Sequence, residues 1–457
     1  MIKNIFKLLH LIFIFSKYQI FLQISQTQQS ILIKILLHII SFIFYPPSLM
    51  MKKRGIQNAA EIAQLLGPIY IKFGQSLSIR PDIIGQEIAD NLTMLQDKLP
   101  EFPFCTVKGI IEQELNSKIE DIFLEVNKSS VAAASVAQVH KGRLKTGECV
   151  AIKILRPNIK KKYQEDIKFL YFVTKILYLL SSKFKKLKLK EVVDVFNQTM
   201  QLELDLRMEA ASYCEINTNF QDDESVYIPK VFWNLITENI LVTKWVDGVS
   251  IYNKEKILEW EIDPNELSKQ VAIMFFNQTY RDGVFHADLH PGNILVTKQK
   301  QLALVDFGIT GRLNEKDRFA IAQILYSILQ KDYMKVAIIH KEAGYLPPDV
   351  NLALFAQYCR AITEPIAGLA LKDISISQLL GKLFKVAEDF GLEVQPQLIL
   401  LQKSMLVIEG IGKNLNPNIN MWELASPWMK KWAMKNLTLE ARILSKVKKI
   451  IHSIILT

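Results

Sequence analysis

The chain has 457 residues, of which 49% are hydrophobic, so it is long and apolar enough for a large core and two or three lobes, which argues against a disordered protein. Lys and Arg number 56 against 46 Asp and Glu, and the net charge of +10 alone suits an anionic membrane, a nucleic acid or a soluble basic surface. The four cysteines have neither metal-ligand spacing nor the density of a disulfide framework, which favours buried thiols in a reducing compartment.

Residues 1–50 form a basic, apolar segment. The first acidic residue of the chain is Glu61, and this concentration of positive charge favours a membrane surface over a nucleic acid. The apolar runs at residues 8–15 and 35–44 are each shorter than the ~20 residues that a helix needs to cross a bilayer. No small-residue cleavage site of a secretory signal follows the first run. We therefore expect this segment to lie at the membrane interface, and a pair of buried core helices is the alternative.

Residues 51–125 are predicted to form a helical extension. A helix around residues 59–66 precedes Lys72-Phe73-Gly74-Gln75, and a long helical pattern then continues to residue 95 and ends near Pro100. None of these features is chemically specific when taken alone.

Residues 130–155 predict a three-stranded meander that contains a loop of small residues. An alternating segment leads into this loop, and a strand, a turn at Thr146-Gly147 and a last strand at residues 149–155 follow. The last strand contains Val-Ala-Ile-Lys, the tetrapeptide in which a kinase strand presents the lysine that binds ATP phosphates, here Lys153. Small side chains at residues 132–135 allow phosphates to approach the loop closely. Buried strands are generally rich in Val, Ala and Ile, so the tetrapeptide alone is a weak signal. A solvated lysine is therefore the alternative until partners of Lys153 are found.

The partners follow in the order expected of a kinase. His286, Asp288 and Asn293 have the spacing of a catalytic loop, and two short strands at residues 294–296 and 302–305 then lead to Asp306-Phe307-Gly308. This order predicts Asn293 and Asp306 as ligands of Mg²⁺ across from Lys153, with Asp288 as the catalytic base or orienting group. Each Asp taken singly is equally a turn residue or a helix cap.

Residues 201–211 predict one helix with the acids Glu203, Asp205 and Glu209. Glu203 and Glu209 are six residues apart, which at ~100° per residue places them about 120° apart around a helix. They therefore cannot both face one lysine, and two different roles are implied. Solvated surface charges are the alternative.

The last residues, 437–457, predict a basic amphipathic helix. Apolar residues recur from Ile443 to Ile455 at intervals of three and four, and lysines occupy the other face. Membrane binding and packing against the body of the protein explain this pattern equally well.

The combined motifs resemble the UbiB and ADCK family of atypical kinases over residues 59–437. The matching elements are Lys-x-Gly-Gln at residues 72–75, the alanine loop at residues 132–135 where other kinases have glycines, Glu-x-Asp at residues 203–205, and residues 286–293. Residues 395–405 and 420–423 further resemble bacterial, alphaproteobacterial-type members that are associated with ubiquinone synthesis.

The resemblance implies an α+β, protein-kinase-like bilobal fold with a helical N-terminal extension. The predicted domains are the interface segment 1–50, the extension 51–125, the N-lobe 126–247, the C-lobe 248–436 and the C-terminal helix 437–457. The predicted ATP-binding residues are Val131, Ala132, Ala133, Ala134, Ser135, Val139, Lys153 and Glu209; the catalytic residue is Asp288; the metal ligands are Asn293 and Asp306; and the regulatory residues are Lys72, Gln75, Glu203 and Asp205.

The resemblance also implies roles for these residues. Lys153 and Glu209 form the pair that positions the nucleotide, while Lys72 and Gln75 reach toward Glu203 and Asp205, so that the extension covers the place of a peptide substrate. No Ala-Pro-Glu follows Asp-Phe-Gly, and the peptide platform of ordinary kinases therefore has no visible counterpart. Because an alanine loop cannot adopt positive φ cheaply, we expect slow turnover.

The implied activity is that of an ATP- and Mg²⁺-dependent kinase or ATPase in ubiquinone biosynthesis. It would respond to membrane lipid and to quinone-precursor-like lipids on the cytoplasmic side of the bacterial inner membrane. Other ubiquinone-synthesis proteins are possible partners, and no nucleic acid partner is expected. Two alternatives remain: a small-molecule phosphotransferase, and a nucleotide-binding pseudoenzyme that scaffolds quinone-making enzymes.

Overall fold

The computed structural model describes residues 2–18, 59–78, 80, 84–95, 99–180, 188–367, 375–391, 395–419 and 421–436. The predicted apolar run at residues 35–44 and the predicted amphipathic helix at residues 437–457 lie outside these residues. The chain divides into two compact units. Unit 1 is Met1–Ala210 with Val231–Trp245, and unit 2 is Ala211–Lys230 with Val246–Thr457.

Helices and strands are numbered in chain order. The α-helices are α1 (Ile2–Lys17), α2 (Ala59–Leu66), α3 (Pro68–Ser78), α4 (Gln86–Thr93), α5 (Phe104–Leu115), α6 (Ile119–Ile122), α7 (Ile159–Leu180), α8 (Leu189–Glu203), α9 (Leu206–Asn219), α10 (Lys254–Glu259), α11 (Pro264–Phe276), α12 (Glu315–Leu329), α13 (Tyr333–Ala343), α14 (Leu352–Ala367), α15 (Ile376–Asp389), α16 (Pro396–Leu415) and α17 (Met421–Asn436). The strands are β1 (Phe123–Val126), β2 (Ala132–Ala133), β3 (Ala137–Leu144), β4 (Cys149–Leu155), β5 (Val226–Tyr227), β6 (Ile240–Lys244), β7 (Gly248–Ser250), β8 (Val284–His286), β9 (Ile294–Thr297), β10 (Leu302–Leu304) and β11 (Thr310–Arg312).

Unit 1 contains an antiparallel sheet in the order β1-β3-β4-β6, with β2 paired to β3. The predicted hairpin between β3 and β4 is confirmed, and its turn contains Gly147 at φ 90°, a conformation that favours glycine. The chain returns at β6 to pair with β4.

The core of unit 1 lies between this sheet and α5. Alternate residues of β4 (Val150, Ile152 and Ile154) are fully buried and share one hydrophobic cluster with Val107 and Ile111 of α5. Since side chains of a strand alternate between its two faces, the residues between them, including Lys153, point to the opposite face of the sheet.

The first helices of the extension, α2, α3 and α4, share a hydrophobic cluster of their own within unit 1. Ile71 of α3 contacts Ala63 of α2 and Leu92 of α4 in a small buried cluster. The predicted helix at residues 59–66 is confirmed as α2.

Helix α1 has one packed face and one exposed apolar face. Ile14 and Tyr18 are buried against Ile62 of α2, and Lys7 forms an ion pair with Asp166 of α7 at 2.6 Å. The side chains that remain exposed on α1 include Ile5, Phe6, Leu9 and Phe13. The first apolar run thus contributes to the folded core on one side and presents apolar side chains on the other.

The prediction of a single helix through Glu203 and Glu209 is wrong. Helix α8 ends at Glu203, and α9 begins at Leu206. Asp205 accepts a hydrogen bond from the backbone N–H of Arg207 at 3.1 Å, and this is the arrangement of a helix N-cap. The local capping bond therefore starts a new helix where helix propensity alone predicted continuation.

Unit 2 combines small sheets with packed helices. Its four-stranded sheet has the order β5-β10-β9-β7, and β8 pairs with β11. Helix α11 packs against α16 and α17, and α12, α13 and α14 pack in sequence. The hairpin predicted at residues 294–305 is confirmed by the antiparallel pair β9–β10. Across the residues that the model describes in both units, every helix is too short or too polar to cross a membrane.

Candidate functional site

Three neighbouring strands of unit 1 place candidate ATP-binding residues in one row. Ala132 of β2 pairs with Val139 of β3, and Val139 pairs with Lys153 of β4. Directly paired residues of an antiparallel sheet project from the same face. The small side chain of Ala132, the valine and the lysine therefore lie side by side on the face opposite α5.

Lys153 forms a two-point ion pair with Glu209 at the start of α9. Its Nζ lies 2.9 Å from Oε1 and 2.8 Å from Oε2, and the two side chains are 17% and 6% exposed. The pairing of these two residues thus exists in the structure. Because the lysine is held by two charge-assisted bonds, its ammonium group has a fixed position on the sheet.

The alanine loop is anchored by contacts that the sequence did not reveal. Arg156 donates from Nε to the carbonyl of Ala134 and from Nη1 to the carbonyl of Pro100, each at 2.9 Å. The backbone N–H of Leu99 donates to the carbonyl of Ala133 at 3.1 Å. Arg156, together with Leu99 and Pro100 of the extension, therefore holds this loop in place. Arg156 directly follows β4, but its partners are distant in sequence, and no local motif identifies them.

Lys72 of α3 forms an ion pair with Glu203 at the end of α8. The two atoms are 2.5 Å apart, and the side chains are 11% and 10% exposed. Gly74 has a packing role, since a Cβ at this position would lie 2.5 Å from Cδ1 of Leu95. For Gln75 the structure gives a backbone contact, in which the Ser78 hydroxyl donates to its carbonyl.

Asp205, another of the predicted regulatory residues, directly precedes the start of α9. Arg207 binds its carboxylate at 2.7 Å, and this hydrogen bond lowers the pKa of Asp205. The four predicted regulatory residues thus include one observed ion pair, Lys72–Glu203, and one helix cap, Asp205.

In unit 2, the loop between β8 and β9 is organised around His286. The backbone N–H of Asp288 donates to Nδ1 of His286 at 3.1 Å, so Nδ1 carries no proton, and Nε2 donates to the carbonyl of Val305 at 3.0 Å. Burial lowers the pKa of His286 and favours this neutral ring. The histidine therefore connects the catalytic loop to the residue just before Asp306.

Gln278 supports the same histidine from the π-helical turn Asn277–Asp282. Its Oε1 accepts the backbone N–H of His286 at 2.9 Å. Sequence reasoning missed Gln278 because a glutamine eight residues upstream of a motif carries no distinguishing pattern.

Asn293 is oriented by the same loop. Its side-chain Nδ2 donates to the backbone carbonyl of Asp288 at 3.0 Å. The backbone carbonyl of Asn293 accepts the N–H of Val305 at 3.0 Å. Since a carbonyl can only accept, the amide nitrogen must face Asp288, and the amide oxygen Oδ1 points away from it. Asn293 is buried, Asp288 is half-buried and Asp306 is exposed.

Asp306 has an unusual backbone conformation that a tyrosine stabilises. Its φ is 62°, which is uncommon for a residue other than glycine. The hydroxyl of Tyr213 accepts its backbone N–H at 2.8 Å, and the rings of Tyr213 and His286 pack against Phe307 at 4.6 and 4.9 Å. Tyr213 was not among the predicted residues because 93 residues separate it from Asp306.

These groups fit a magnesium ion that is bound mainly by phosphates and water. Mg²⁺ prefers oxygen ligands and is held in kinase-type sites by one or two carboxylates together with substrate phosphates. The carboxylate of Asp306 and the amide oxygen Oδ1 of Asn293 are oxygen donors of this kind. Within the part of the chain that the structure describes, no group of three or more His, Cys, Asp or Glu residues is placed to hold a metal alone.

An antiparallel sheet with a lysine–glutamate pair in unit 1, and a His-x-Asp loop next to an Asp-Phe-Gly turn in unit 2, define a kinase-like protein. The family model of the ABC1 atypical kinase-like domain matches residues 94–340, and that of the UbiB helical domain matches residues 359–420. The first match covers more than half of the chain. The chain belongs to the ABC1/UbiB family of atypical kinases.

Curated relatives named "Probable protein kinase UbiB" are similar over most of the chain. The protein of Pseudomonas putida (strain F1) is 39% identical over 373 residues, which are 81% of this chain and 69% of the relative. The protein of Azotobacter vinelandii (strain DJ) is 38% identical over 384 residues, which are 83% and 72% of the two chains.

A solved structure supports the fold. The structure described as the complex of Rv3197 with erythromycin from Mycobacterium tuberculosis aligns with a TM-score of 0.50 and 21% identity, over 77% of this chain and 90% of that chain. The predicted α+β, protein-kinase-like fold is confirmed.

Proposed function

We propose that this protein is an ATP- and Mg²⁺-dependent atypical kinase or ATPase that supports ubiquinone biosynthesis at a membrane. The observation that carries the proposal is the buried ion pair between Lys153 and Glu209, because a lysine held on a strand beside a loop of small residues is suited to bind phosphates. The resemblance of residues 395–405 and 420–423 to bacterial members associated with ubiquinone synthesis supports the connection to this pathway, and it agrees with relatives named UbiB.

In this proposal each polar group has one role. Lys153 binds the phosphates, and Glu209 keeps the lysine in position. Asp306 and Asn293 hold magnesium, which when bound neutralises charge on the phosphoryl oxygens. Asp288 orients the acceptor hydroxyl or water and takes its proton. The ion pair Lys72–Glu203 fixes the extension, and with Gln75 and Asp205 it regulates access to the nucleotide.

The membrane part of the proposal rests on α1 and on charge. Exposed apolar side chains on one face of α1 suit insertion between lipid headgroups. Residues 1–60 contain no acidic residue, so anionic lipid attracts this part of the chain. We therefore propose membrane lipid and quinone-precursor-like lipids as the molecules to which the ATPase responds, on the cytoplasmic side of the bacterial inner membrane.

The test is Mg²⁺-dependent phosphate release by the purified full chain, with and without anionic liposomes. Wild-type protein should release phosphate and be stimulated by liposomes. Asp288→Asn should lower the rate by about 10²- to 10⁴-fold, the usual effect of losing a general base. Asp263→Asn is the matched control: Asp263 caps α11, and asparagine caps helices equally well, so the rate should not change.

Other outcomes discriminate between the alternatives. Phosphate that appears on a hydroxylated small molecule would identify a phosphotransferase. Nucleotide that binds without phosphate release under all lipid conditions would identify a pseudoenzyme scaffold. Failure to bind ATP under any lipid or metal condition would overturn the proposal.

A further inference from the structure

The backbone at Asp306 needs a partner outside its own hairpin. The preceding residue, Val305, still pairs with Asn293 of the neighbouring segment. At Asp306 the chain turns to a φ of 62°, and its N–H bonds to a side chain instead of continuing that pairing. Left-handed backbone is less favourable than right-handed for most residues with a side chain, so a contact that holds the N–H of Asp306 helps to maintain it.

Tyr213 provides that contact from a fixed position. Its side chain is 4% exposed, and its ring meets Phe307 edge to face at 4.6 Å. The ring contact positions the hydroxyl, and the hydroxyl accepts the N–H of Asp306 at 2.8 Å. The two halves of one side chain therefore hold two consecutive residues of the Asp-Phe-Gly turn.

We propose that Tyr213 is a positioning residue whose hydroxyl holds Asp306 in the left-handed conformation from which its carboxylate binds Mg²⁺. The backbone conformation decides where the Cβ of Asp306 points, and therefore where the carboxylate lies. This inference rests on the proposed function, since it assigns a role to Asp306 in metal binding. A purely structural role for Tyr213 would depend on the ring and not on the hydroxyl.

The test variant is Tyr213→Phe, which removes the hydroxyl and keeps the ring. The measurement is the Mg²⁺ concentration that half-saturates binding of a fluorescent ATP analogue. We expect this concentration to rise about threefold to tenfold, the effect of one neutral hydrogen bond. The affinity for the analogue in EDTA should not change, because the hydroxyl does not hold Lys153 or Glu209.

The matched control is Tyr345→Phe in the same unit. Tyr345 is also buried, and its hydroxyl donates to Asp317 at 2.5 Å. This variant should lose thermal stability and keep the wild-type Mg²⁺ requirement. An unchanged Mg²⁺ requirement in Tyr213→Phe, or an equal rise in both variants, would overturn the inference.

Amide hydrogen exchange gives a second, metal-free measurement. The N–H of Asp306 should exchange slowly in the wild-type protein and faster in Tyr213→Phe. Fast exchange in the wild-type protein would overturn the inference even if the variant failed to fold. A wild-type protein that binds no nucleotide with Mg²⁺ would instead overturn the proposed function, and this inference with it.

Discussion

Glu209 is buried and the side chain of Glu203 is 10% exposed, and each faces a different lysine. The two acids lie on different helices and not on the single helix that the sequence predicts. Their two separate ion pairs are consistent with two different roles. Each lysine is held by a carboxylate that is at most 10% exposed. Removing one partner of such a pair leaves the charge of the other uncompensated in a poorly solvated place.

At Glu209, the change to glutamine keeps the shape of the side chain and removes its charge. Lys153 then loses a charge-assisted hydrogen bond worth ~1.5–3 kcal/mol. We expect the affinity for Mg²⁺-ATP to fall by about one order of magnitude. The measurement is the ATP concentration that half-saturates phosphate release.

The matched control is Glu215→Gln on the same helix. Glu215 pairs with Arg312, and the two side chains are 37% and 60% exposed. Exposed pairs contribute little, so this variant should keep the wild-type half-saturating concentration. Equal effects of the two variants would contradict a specific role for Glu209.

At the scale of secondary-structure elements, Lys72–Glu203 connects α3 of the extension to α8. We expect Lys72→Met and Glu203→Gln each to lower the free energy of unfolding by ~3 kcal/mol, because each leaves a buried charge without its partner. The double variant should lose less free energy of unfolding than the sum of the two single losses, and this difference is the coupling energy, expected at ~1–3 kcal/mol. Urea unfolding of the four proteins measures this coupling.

An exposed pair in the same unit is the control for this cycle. The side chains of Lys108 and Glu120 are 40% and 62% exposed. The same substitutions there should give no measurable coupling. If the Lys72–Glu203 cycle were also additive, the ion pair would not stabilise the contact between α3 and α8.

Elements whose signals are local were predictable from the sequence. The β3–β4 hairpin, the β9–β10 hairpin and α2 follow from alternation, turn residues and helical periodicity, and the structure confirms them. The break between α8 and α9 was missed, although Asp is a favoured N-cap residue, because the run of helix formers outweighed it.

Contacts between distant segments were not predictable. Trp428 of α17 donates to Asn277 over 151 residues, and Arg156 reaches the carbonyl of Pro100 over 56 residues. No periodicity or motif encodes such contacts, because they depend on how elements pack. The candidate polar residues could therefore be named from motifs, whereas the groups that orient them, such as Tyr213 and Gln278, could not.

At the scale of the whole molecule, each unit has its own core, and unit 2 contains two buried histidines with lowered pKa values. Burial lowers the pKa of His340 to about 4, and its ring packs 5.1 Å from that of Phe355. Its Nδ1 donates to the carbonyl of Val336 at 2.8 Å, and this bond raises the pKa by less than burial lowers it. Burial also lowers the pKa of His286. Both buried histidines of unit 2 therefore take up protons when it unfolds at mildly acidic pH.

The sign of the resulting pH dependence follows from the direction of the shift. An unfolded histidine takes up a proton near pH ~6.5, whereas folded His340 stays neutral until about pH 4. The stabilisation is therefore fully present above pH ~6.5 and is lost as the pH falls toward 4, by on the order of 3 kcal/mol for His340. Hydrogen exchange of peptides from α13 and α14 at pH 7.5 and 5 measures this loss.

Two variants separate titration of His340 from packing around it. His340→Leu removes the titrating group, so protection from hydrogen exchange should fall less between pH 7.5 and 5 than in the wild-type protein. The decrease that remains is due to groups such as His286. Phe355→Leu disturbs the same cluster without removing the histidine, so it should lower protection about equally at both pH values. If His340→Leu kept the full wild-type slope, the acid sensitivity of unit 2 would have to arise from other groups, and the neutral buried ring of His340 would not contribute to it.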